Sequence, residues 1–143
     1  MPFDGRESEH QTRQYLLARL DEGMVRVRAL LDREDRWCKG ALHTSEGRHC
    51  LIGAMEATRA ERLLRPAILR AISEHTGRYY LRIECFNDKK STTHADVIAV
   101  LDRAARNIRA GTPFGAPVSA KARWRGWWDK LRRMPCPFGR EQA

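Results

Sequence analysis

Apolar residues at helical spacing are the feature that most constrains the fold of this chain. One series, with intervals of three and four, consists of Leu16, Leu20, Met24, Val27 and Leu31. A second series consists of Val97, Leu101, Ala104 and Ile108. Such spacing places the apolar side chains on one face of an amphipathic helix. Because those faces must be buried, we expect a predominantly helical domain.

Local signals predict where some helices begin and end. Pro66 is well tolerated in the first helical turn, which predicts a helix start near Arg65. Gly77 can adopt the left-handed conformation that ends many helices. Thr93 and Asp96 have the spacing of a capping pair for the helix that carries the second apolar series.

Two short segments predict a departure from helix. Residues 81–85 alternate apolar and charged side chains, which is the pattern of a half-buried strand. The turn sequence at residues 45–47 lies between two short segments and is typical of a small hairpin or a structured loop. The predicted fold is therefore α+β and predominantly helical, with four to five helices around a short hairpin or strand element.

The chain divides by composition into four parts. Its 143 residues are enough for one compact helical domain, which we assign to residues 1–111. Proline and glycine residues mark a linker at 112–118. A basic amphipathic helix is predicted at 119–134, and residues 135–143 form a tail.

The location of the protein is predicted from what the sequence lacks. No apolar run approaches the roughly 20 residues of a membrane-spanning helix. The N-terminus has no apolar region of the kind found in secretory signals. We therefore expect a cytoplasmic protein, peripheral at the inner membrane if its basic helix binds lipid. The four cysteines form no Cys-x-x-Cys pair, and in a reducing compartment we expect them to be thiols.

Three short motifs lie in the centre of the chain. They are Trp37-Cys38-x-Gly40-Ala41, Cys50-Leu51-x-Gly53-Ala54 and Phe86-Asn87-Asp88. In their order and spacing the chain resembles a group of small bacterial and phage-encoded proteins, domain-of-unknown-function family 6197, over residues 16–105. The resemblance implies that the recurring family positions are Trp37, Gly40, Cys50, Gly53, Ala54, Asn87 and Asp88. It implies no activity, and the histidines lie outside its pattern.

Cys50 is the candidate nucleophile. A thiol at a helix start, beside His49, would have its thiolate favoured by the helix dipole and by nearby cations. His49 or His94 would be the base. Asn87 or Asp88 could orient a histidine and complete a catalytic constellation. The alternative is structural, because Cys50 precedes the apolar Leu51 and Asn-Asp pairs commonly stabilise their own turns.

The second candidate site in this region is a zinc site. Cys38, His43, His49 and Cys50 are suitable ligand types for tetrahedral zinc. Their spacing is unlike that of paired zinc knuckles, and ligands adjacent in sequence at 49 and 50 strain the geometry. We therefore expect no metal and no cofactor.

The predicted C-terminal helix combines an aromatic stripe with a cluster of cations. Its apolar face carries Trp124, Trp127, Trp128, Leu131 and Met134. Its cations are Lys121, Arg123, Arg125, Lys130, Arg132 and Arg133. Residues 119–143 contribute +5 of the formal net charge of +9, although they are about one sixth of the chain. A basic segment of this kind favours acidic partners.

Three uses of this helix follow from its composition. Tryptophan and cations together suit an anionic membrane or an acidic protein surface. The same residues could stack on bases and bind phosphates of nucleic acid. The apolar stripe could also pack back onto the domain. We expect a non-enzymatic accessory or regulatory protein that docks this helix on an acidic surface, with a Cys50-dependent enzyme and a nucleic-acid-binding protein as alternatives.

Overall fold

Five α-helices and one 3₁₀ turn form the regular structure in residues 5–115, the part of the chain that the computed structural model describes. The helices are α1 (Gly5–Leu30), α2 (Leu51–Ala57), α3 (Glu61–Thr76), α4 (Ile83–Asn87) and α5 (His94–Arg109). The 3₁₀ turn spans Glu34–Arg36. The prediction of a predominantly helical fold is confirmed.

The long helices α1, α3 and α5 supply most of the hydrophobic core. Helix α5 packs against both α1 and α3, and the two short helices close the remaining side. Two buried sets come from the predicted apolar series: Leu20, Met24 and Val27 on α1 with Leu31 directly after it, and Val97, Leu101, Ala104 and Ile108 on α5. Leu16, the first member of the α1 series, is only partly buried. The helical periodicity therefore identified the core faces of both helices.

The predicted hairpin or strand element is wrong. In the described residues around 37–50, pairing is limited to isolated bridges of His49 with Trp37 and with His43. Residues 83–87 form α4 instead of a strand. Ile83 and Phe86 are buried, whereas Leu81 is 53% exposed. The short alternation was ambiguous because residues three apart share one face of a helical turn.

Helix α3 begins earlier than predicted. Its first residue is Glu61, four positions before Arg65, and Pro66 lies inside the helix. An interior proline usually weakens a helix because it lacks an N–H donor. Here Leu64, in the additional first turn, is completely buried, and burial of a leucine side chain is worth about 1.5–3 kcal/mol. Tertiary packing thus extends the helix beyond its local signal.

The other two boundary predictions are confirmed. Gly77 ends α3 with a φ of 68°, in the left-handed region. Thr93 caps α5 through a reciprocal pair of hydrogen bonds. Its hydroxyl accepts a bond from the Asp96 backbone N–H at 3.2 Å, and the Asp96 carboxylate accepts one from the Thr93 backbone N–H at 2.8 Å.

The chain after α5 lies against the helical body as far as residue 115. Arg13 donates a hydrogen bond to the carbonyl of Gly111 at 2.7 Å, and Arg70 donates one to the carbonyl of Thr112. Pro113 is buried. The first residues of the predicted linker at 112–118 are therefore in contact with α1 and α3. The predicted helix at 119–134 and the tail at 135–143 lie outside the described residues.

Candidate functional site

Asn87, at the end of α4, is completely buried, and both atoms of its amide group are hydrogen-bonded twice. Its Oδ1 accepts bonds from Trp37 Nε1 at 2.8 Å and from the backbone N–H of Leu51 at 3.1 Å. Its Nδ2 donates to the carbonyl of Cys38 at 3.1 Å and to Asp88 Oδ1 at 2.7 Å. An asparagine amide has two donors and two acceptor positions, so its capacity is filled.

Asp88 continues this connection to the loop that precedes α2. Its Oδ1 also accepts a hydrogen bond from the backbone N–H of Gly40 at 3.0 Å, and Gly40 has a φ of 74°. Nearby, Lys39 Nζ donates to the carbonyl of Lys89 at 2.7 Å and lies 5.3 Å from the centre of the Trp37 ring. We call Asn87 and Asp88 the Asn-Asp clamp, because they hold the loop at residues 37–50 against α4.

Gly53 fixes the other side of the same loop. A Cβ atom at this position would lie 1.8 Å from the carbonyl oxygen of Leu42, far inside any permitted contact. That carbonyl accepts a hydrogen bond from the backbone N–H of Cys50 at 3.0 Å. The following residue, Ala54, is completely buried. The family positions Gly53 and Ala54 therefore allow the loop backbone to approach the first turn of α2.

The Cys50 thiol is a helix cap in the core. Cys50 is 5% exposed, and its Sγ accepts a hydrogen bond from the Gly53 backbone N–H at 3.3 Å. Burial raises the pKa of Cys50, although hydrogen bonds from the backbone of Gly53 and Ile52 oppose the rise. A nucleophilic cysteine needs a lowered pKa and access to substrate. The prediction of a helix start at Cys50 is confirmed, and its surroundings keep the thiol protonated.

None of the candidate histidines is hydrogen-bonded to the Asn-Asp clamp. The rings of His43 and His49 lie 6.5 Å apart, and the buried Nδ1 of His49 has no hydrogen-bond partner among the described residues. His94 Nε2 lies 2.7 Å from the carbonyl of Leu31, and its ring is 6.1 Å from that of Trp37. The hydrogen bonds of the clamp described above reach an indole and backbone groups, and none of them orients a histidine.

The three cysteines within residues 5–115 divide into two kinds. Cys38 and Cys50 are free thiols, and the Sγ of Cys38 donates to the carbonyl of Ala41 at 3.4 Å. Burial, followed by the proximity of Cys50, raises the pKa of Cys38. Cys85 differs from the expectation of a thiol, because it is disulfide-bonded. Within residues 5–115, no three His, Cys, Asp or Glu side chains are grouped so that they could hold a metal ion.

A polar cavity that is lined by Phe86 of α4 was not predicted. It has a volume of about 350 Å³, and its lining includes Arg78, Tyr80, Phe86, Lys89 and Thr92. These residues come from the chain after α3, from α4 and from the loop before α5. No sequence motif joins them, because their proximity depends on the packing of α3 against α5.

The predicted binding residues of the C-terminal segment lie outside the described part of the chain. They are Arg123, Trp124, Arg125, Trp127, Trp128, Lys130, Leu131, Arg132 and Arg133. The structure therefore tests none of these residues, because its description ends at residue 115.

Comparison with protein families gives one match. The family of unknown function DUF6197 matches residues 17–107. The chain belongs to this family. The resemblance found from the motifs over residues 16–105 is thus confirmed at the level of the family. No curated protein and no solved structure gives a significant match. No helix within residues 5–115 is long and apolar enough to cross a membrane.

Proposed function

We propose that this protein is a non-enzymatic accessory or regulatory binding protein. Its helical body would present the basic segment at 119–134 to an acidic surface, on a protein partner or on the inner leaflet of the membrane. The observation that carries the proposal is the composition of this segment, which holds three of the four tryptophans and six cations against one acidic residue. Cations attract anionic groups, and indoles bind at the boundary between apolar and polar surroundings.

The bonding of the family positions supports a binding role over catalysis. Asn87 uses its whole amide to hold Trp37, Leu51 and Cys38, together with its neighbour Asp88. These contacts give a structural reason for these residue types at the family positions, so no catalytic role is needed to explain them. The motifs then account for a stable body, and the remaining distinctive feature of the chain is the C-terminal segment.

The surroundings of Cys50 also favour binding over the alternative of a Cys50-dependent enzyme. The thiol is buried, has a raised pKa and already accepts a hydrogen bond from Gly53. An activated cysteine would require a cation or base that lowers its pKa, together with a path for substrate. A Cys50→Ser variant that keeps every measured binding property would agree with the proposal.

The proposal is tested by tryptophan fluorescence of the full chain, because only Trp37 lies outside the segment. The protein is titrated with vesicles containing phosphatidylglycerol, with polyglutamate as an acidic polypeptide and with a short single-stranded oligonucleotide. A blue shift with vesicles supports the membrane form of the proposal, and a shift with polyglutamate supports the protein form. Quenching by the oligonucleotide alone would favour nucleic-acid binding through stacking.

The C-terminal charge variant carries Lys130→Gln, Arg132→Gln and Arg133→Gln. It removes three positive charges from the segment and keeps its tryptophans. We expect the apparent affinity for the anionic titrant to fall by roughly 10²-fold, since each cation near an anionic surface is worth about 1 kcal/mol. The affinity should also decrease as salt rises, because exposed charges are screened.

A matched control removes the same charge from the body, through Arg19→Gln, Arg26→Gln and Arg33→Gln. These side chains are 54%, 54% and 63% exposed and take part only in surface ion pairs. Such pairs contribute little to stability. Equal weakening by both variants would show that net charge, and not the segment, causes the binding. No response to vesicles or to polyglutamate in the unmodified protein would overturn the proposal.

A further inference from the structure

The cavity beside α4 lies between the end of α3 and the start of α5. Its volume of about 350 Å³ is within the range of small-molecule sites. Phe86 forms part of its wall, and the ring of Tyr80 meets that of Phe86 edge-on at 6.0 Å and 80°. The cavity therefore has one aromatic wall that is held in place by the core.

Two buried hydroxyl-bearing residues line this cavity. Tyr80 is 2% exposed and Thr92 is 6% exposed. Neither hydroxyl has a hydrogen-bond partner within residues 5–115. Both hydroxyl oxygens keep some accessible surface, because neither belongs to the buried atoms that lack a partner, and the cavity is the open space beside them. Both residues retain the capacity to donate to a molecule in the cavity.

Two cations line the same cavity without forming an ion pair among the described residues. They are Arg78 and Lys89. Burial raises the pKa of Tyr80 and the charge of Arg78 opposes the rise, which is consistent with a guanidinium close to the phenol. An arginine and a lysine together provide a planar fork of donors and a mobile point charge.

The lining also contains one acidic residue, Asp96. The Asp96 carboxylate accepts hydrogen bonds from the backbone N–H and the hydroxyl of Thr93, both at 2.8 Å, and lies 3.1 Å from His75 Nε2. These bonds hold the pKa of Asp96 below its usual range. Asp96 therefore stays ionised as part of the cap of α5, and the two cations and this carboxylate leave the lining with a formal charge of +1 and an excess of donors.

We propose that this cavity binds the phosphate group of a small phosphate monoester. Arg78 and Lys89 provide two charged donors for a phosphate, and the two hydroxyls provide donors beyond those that the two oxygens of a carboxylate would need. Tyr80 and Phe86 would contact the organic part of the ligand. This inference does not depend on the segment at 119–134 or on the function proposed for it.

The test is isothermal titration calorimetry of the full chain at pH 7.5, with phenyl phosphate as the probe. Inorganic phosphate and benzoate are titrated in parallel. We expect phenyl phosphate to bind at least fivefold more tightly than benzoate. Tighter binding of phenyl phosphate than of inorganic phosphate identifies an ester as the ligand, whereas equal binding identifies free phosphate in the same site.

Lys89→Gln and Lys90→Gln form a matched pair of variants. Both remove one charge at adjacent positions, but only Lys89 lines the cavity. We expect Lys89→Gln to weaken phenyl phosphate binding by roughly tenfold, as for the loss of a hydrogen bond to a charged group. Lys90→Gln should change it by less than about twofold, because an exposed charge acts weakly at a distance.

Two further variants keep the result decisive. Tyr80→Phe preserves the ring and should also weaken binding several-fold, even if Lys89→Gln fails to fold. The C-terminal charge variant should leave the affinity unchanged, which separates this site from the segment at 119–134. The proposal is overturned if phenyl phosphate does not bind at 10 mM, if Lys90→Gln weakens binding as much as Lys89→Gln, or if the C-terminal charge variant abolishes it.

Discussion

The Asn-Asp clamp and the cavity beside α4 differ in how many hydrogen-bond partners the protein gives to the polar side chains of buried residues. In the clamp, Asn87 forms four hydrogen bonds and leaves no donor or acceptor position unused. At the cavity, Tyr80 and Thr92 are almost as deeply buried as residues, but their hydroxyl oxygens remain accessible and have no protein partner in the described part of the chain. Phe86, which lines the cavity, is the residue directly before Asn87.

This comparison distinguishes polar side chains whose hydrogen bonds stabilise the fold from polar side chains that remain available to a ligand. Each bond of Asn87 satisfies a group that would otherwise be buried without a partner, so its removal must destabilise the native state. The hydroxyls beside the cavity stabilise nothing that the structure contains, so their removal should cost the fold little. The following predictions test this contrast, from the largest effect to the smallest.

Asn87→Ala should cause the largest loss of stability. It leaves the indole N–H of Trp37, the backbone N–H of Leu51 and the carbonyl of Cys38 without their partner, and we expect a loss of roughly 4 kcal/mol. Urea denaturation of both proteins measures this difference. Asn107→Ala is the control, because Asn107 makes one exposed hydrogen bond to Glu74. A loss no greater than that of the control would show that the Asn-Asp clamp is not needed for folding.

Gly53→Ala should be the next most damaging change. The new methyl group would meet the carbonyl oxygen of Leu42, which is backbone and cannot rotate away, so we expect a loss of roughly 3 kcal/mol. Gly23→Ala is the matched helical control. There the nearest atoms are side-chain carbons of Ala60 and Leu64 at 3.3 Å, and the gain in helix propensity offsets the contact. Thermal unfolding should place the control near the unmodified protein, and similar losses in both variants would contradict this account.

Thr93→Ala should have an intermediate effect. It removes the side-chain cap of α5, and the loss of such a cap typically costs about 1 kcal/mol. Ser91→Ala, two residues earlier and exposed, should change the free energy of unfolding by less than about 0.5 kcal/mol. Equal losses in the two variants, measured by urea denaturation, would argue against the cap as the cause.

Asp96→Asn should lower stability at neutral pH and make stability less dependent on pH. The pKa of Asp96 is lowered in the folded protein, so its charge stabilises the fold above the unfolded pKa of about 3.9. That contribution is lost as the pH falls through the folded pKa. Denaturation between pH 7 and pH 3 should therefore show a shallower acid loss in Asp96→Asn than in the unmodified protein. Parallel curves would contradict the assignment.

Tyr80→Phe should have the smallest effect on folding. It removes a hydroxyl that has no partner within residues 5–115 and keeps the contact with Phe86, so we expect a change within about 0.5 kcal/mol. Trp37→Phe provides the comparison at the Asn-Asp clamp. It should cost about 1–3 kcal/mol, because Asn87 Oδ1 loses a donor. A large loss in Tyr80→Phe would mean that this hydroxyl does stabilise the fold.

The features that were predictable from sequence are those determined by near neighbours. The apolar series on α1 and α5 identified their core faces, because one face of a helix repeats every three or four residues. Near neighbours in sequence also determine helix ends. The cap formed by Thr93 and Asp96 and the end of α3 at Gly77 were therefore predicted. The short alternation at 81–85 failed, because five residues contain too few repeats to distinguish a strand from a helical turn.

The features that sequence reasoning missed depend on distant segments. The family resemblance drew attention to Asn87 and Asp88, but their partners at residues 37–51 lie at least 36 positions away in the chain. The cavity could not be found from sequence at all. Its lining residues, including Arg78 and Lys89, carry no motif and become neighbours only when α3 packs against α5.

The contact between Gly53 and Leu42 also affects how the family's sequences can vary. Gly53 meets the peptide carbonyl of residue 42, and every amino acid presents that same oxygen. Position 42 can therefore change freely, and no substitution there can compensate for a side chain at position 53. A close tertiary contact of this kind would leave no correlated substitutions in an alignment. Methods that infer contacts from paired substitutions would then overlook the junction between the loop and α2.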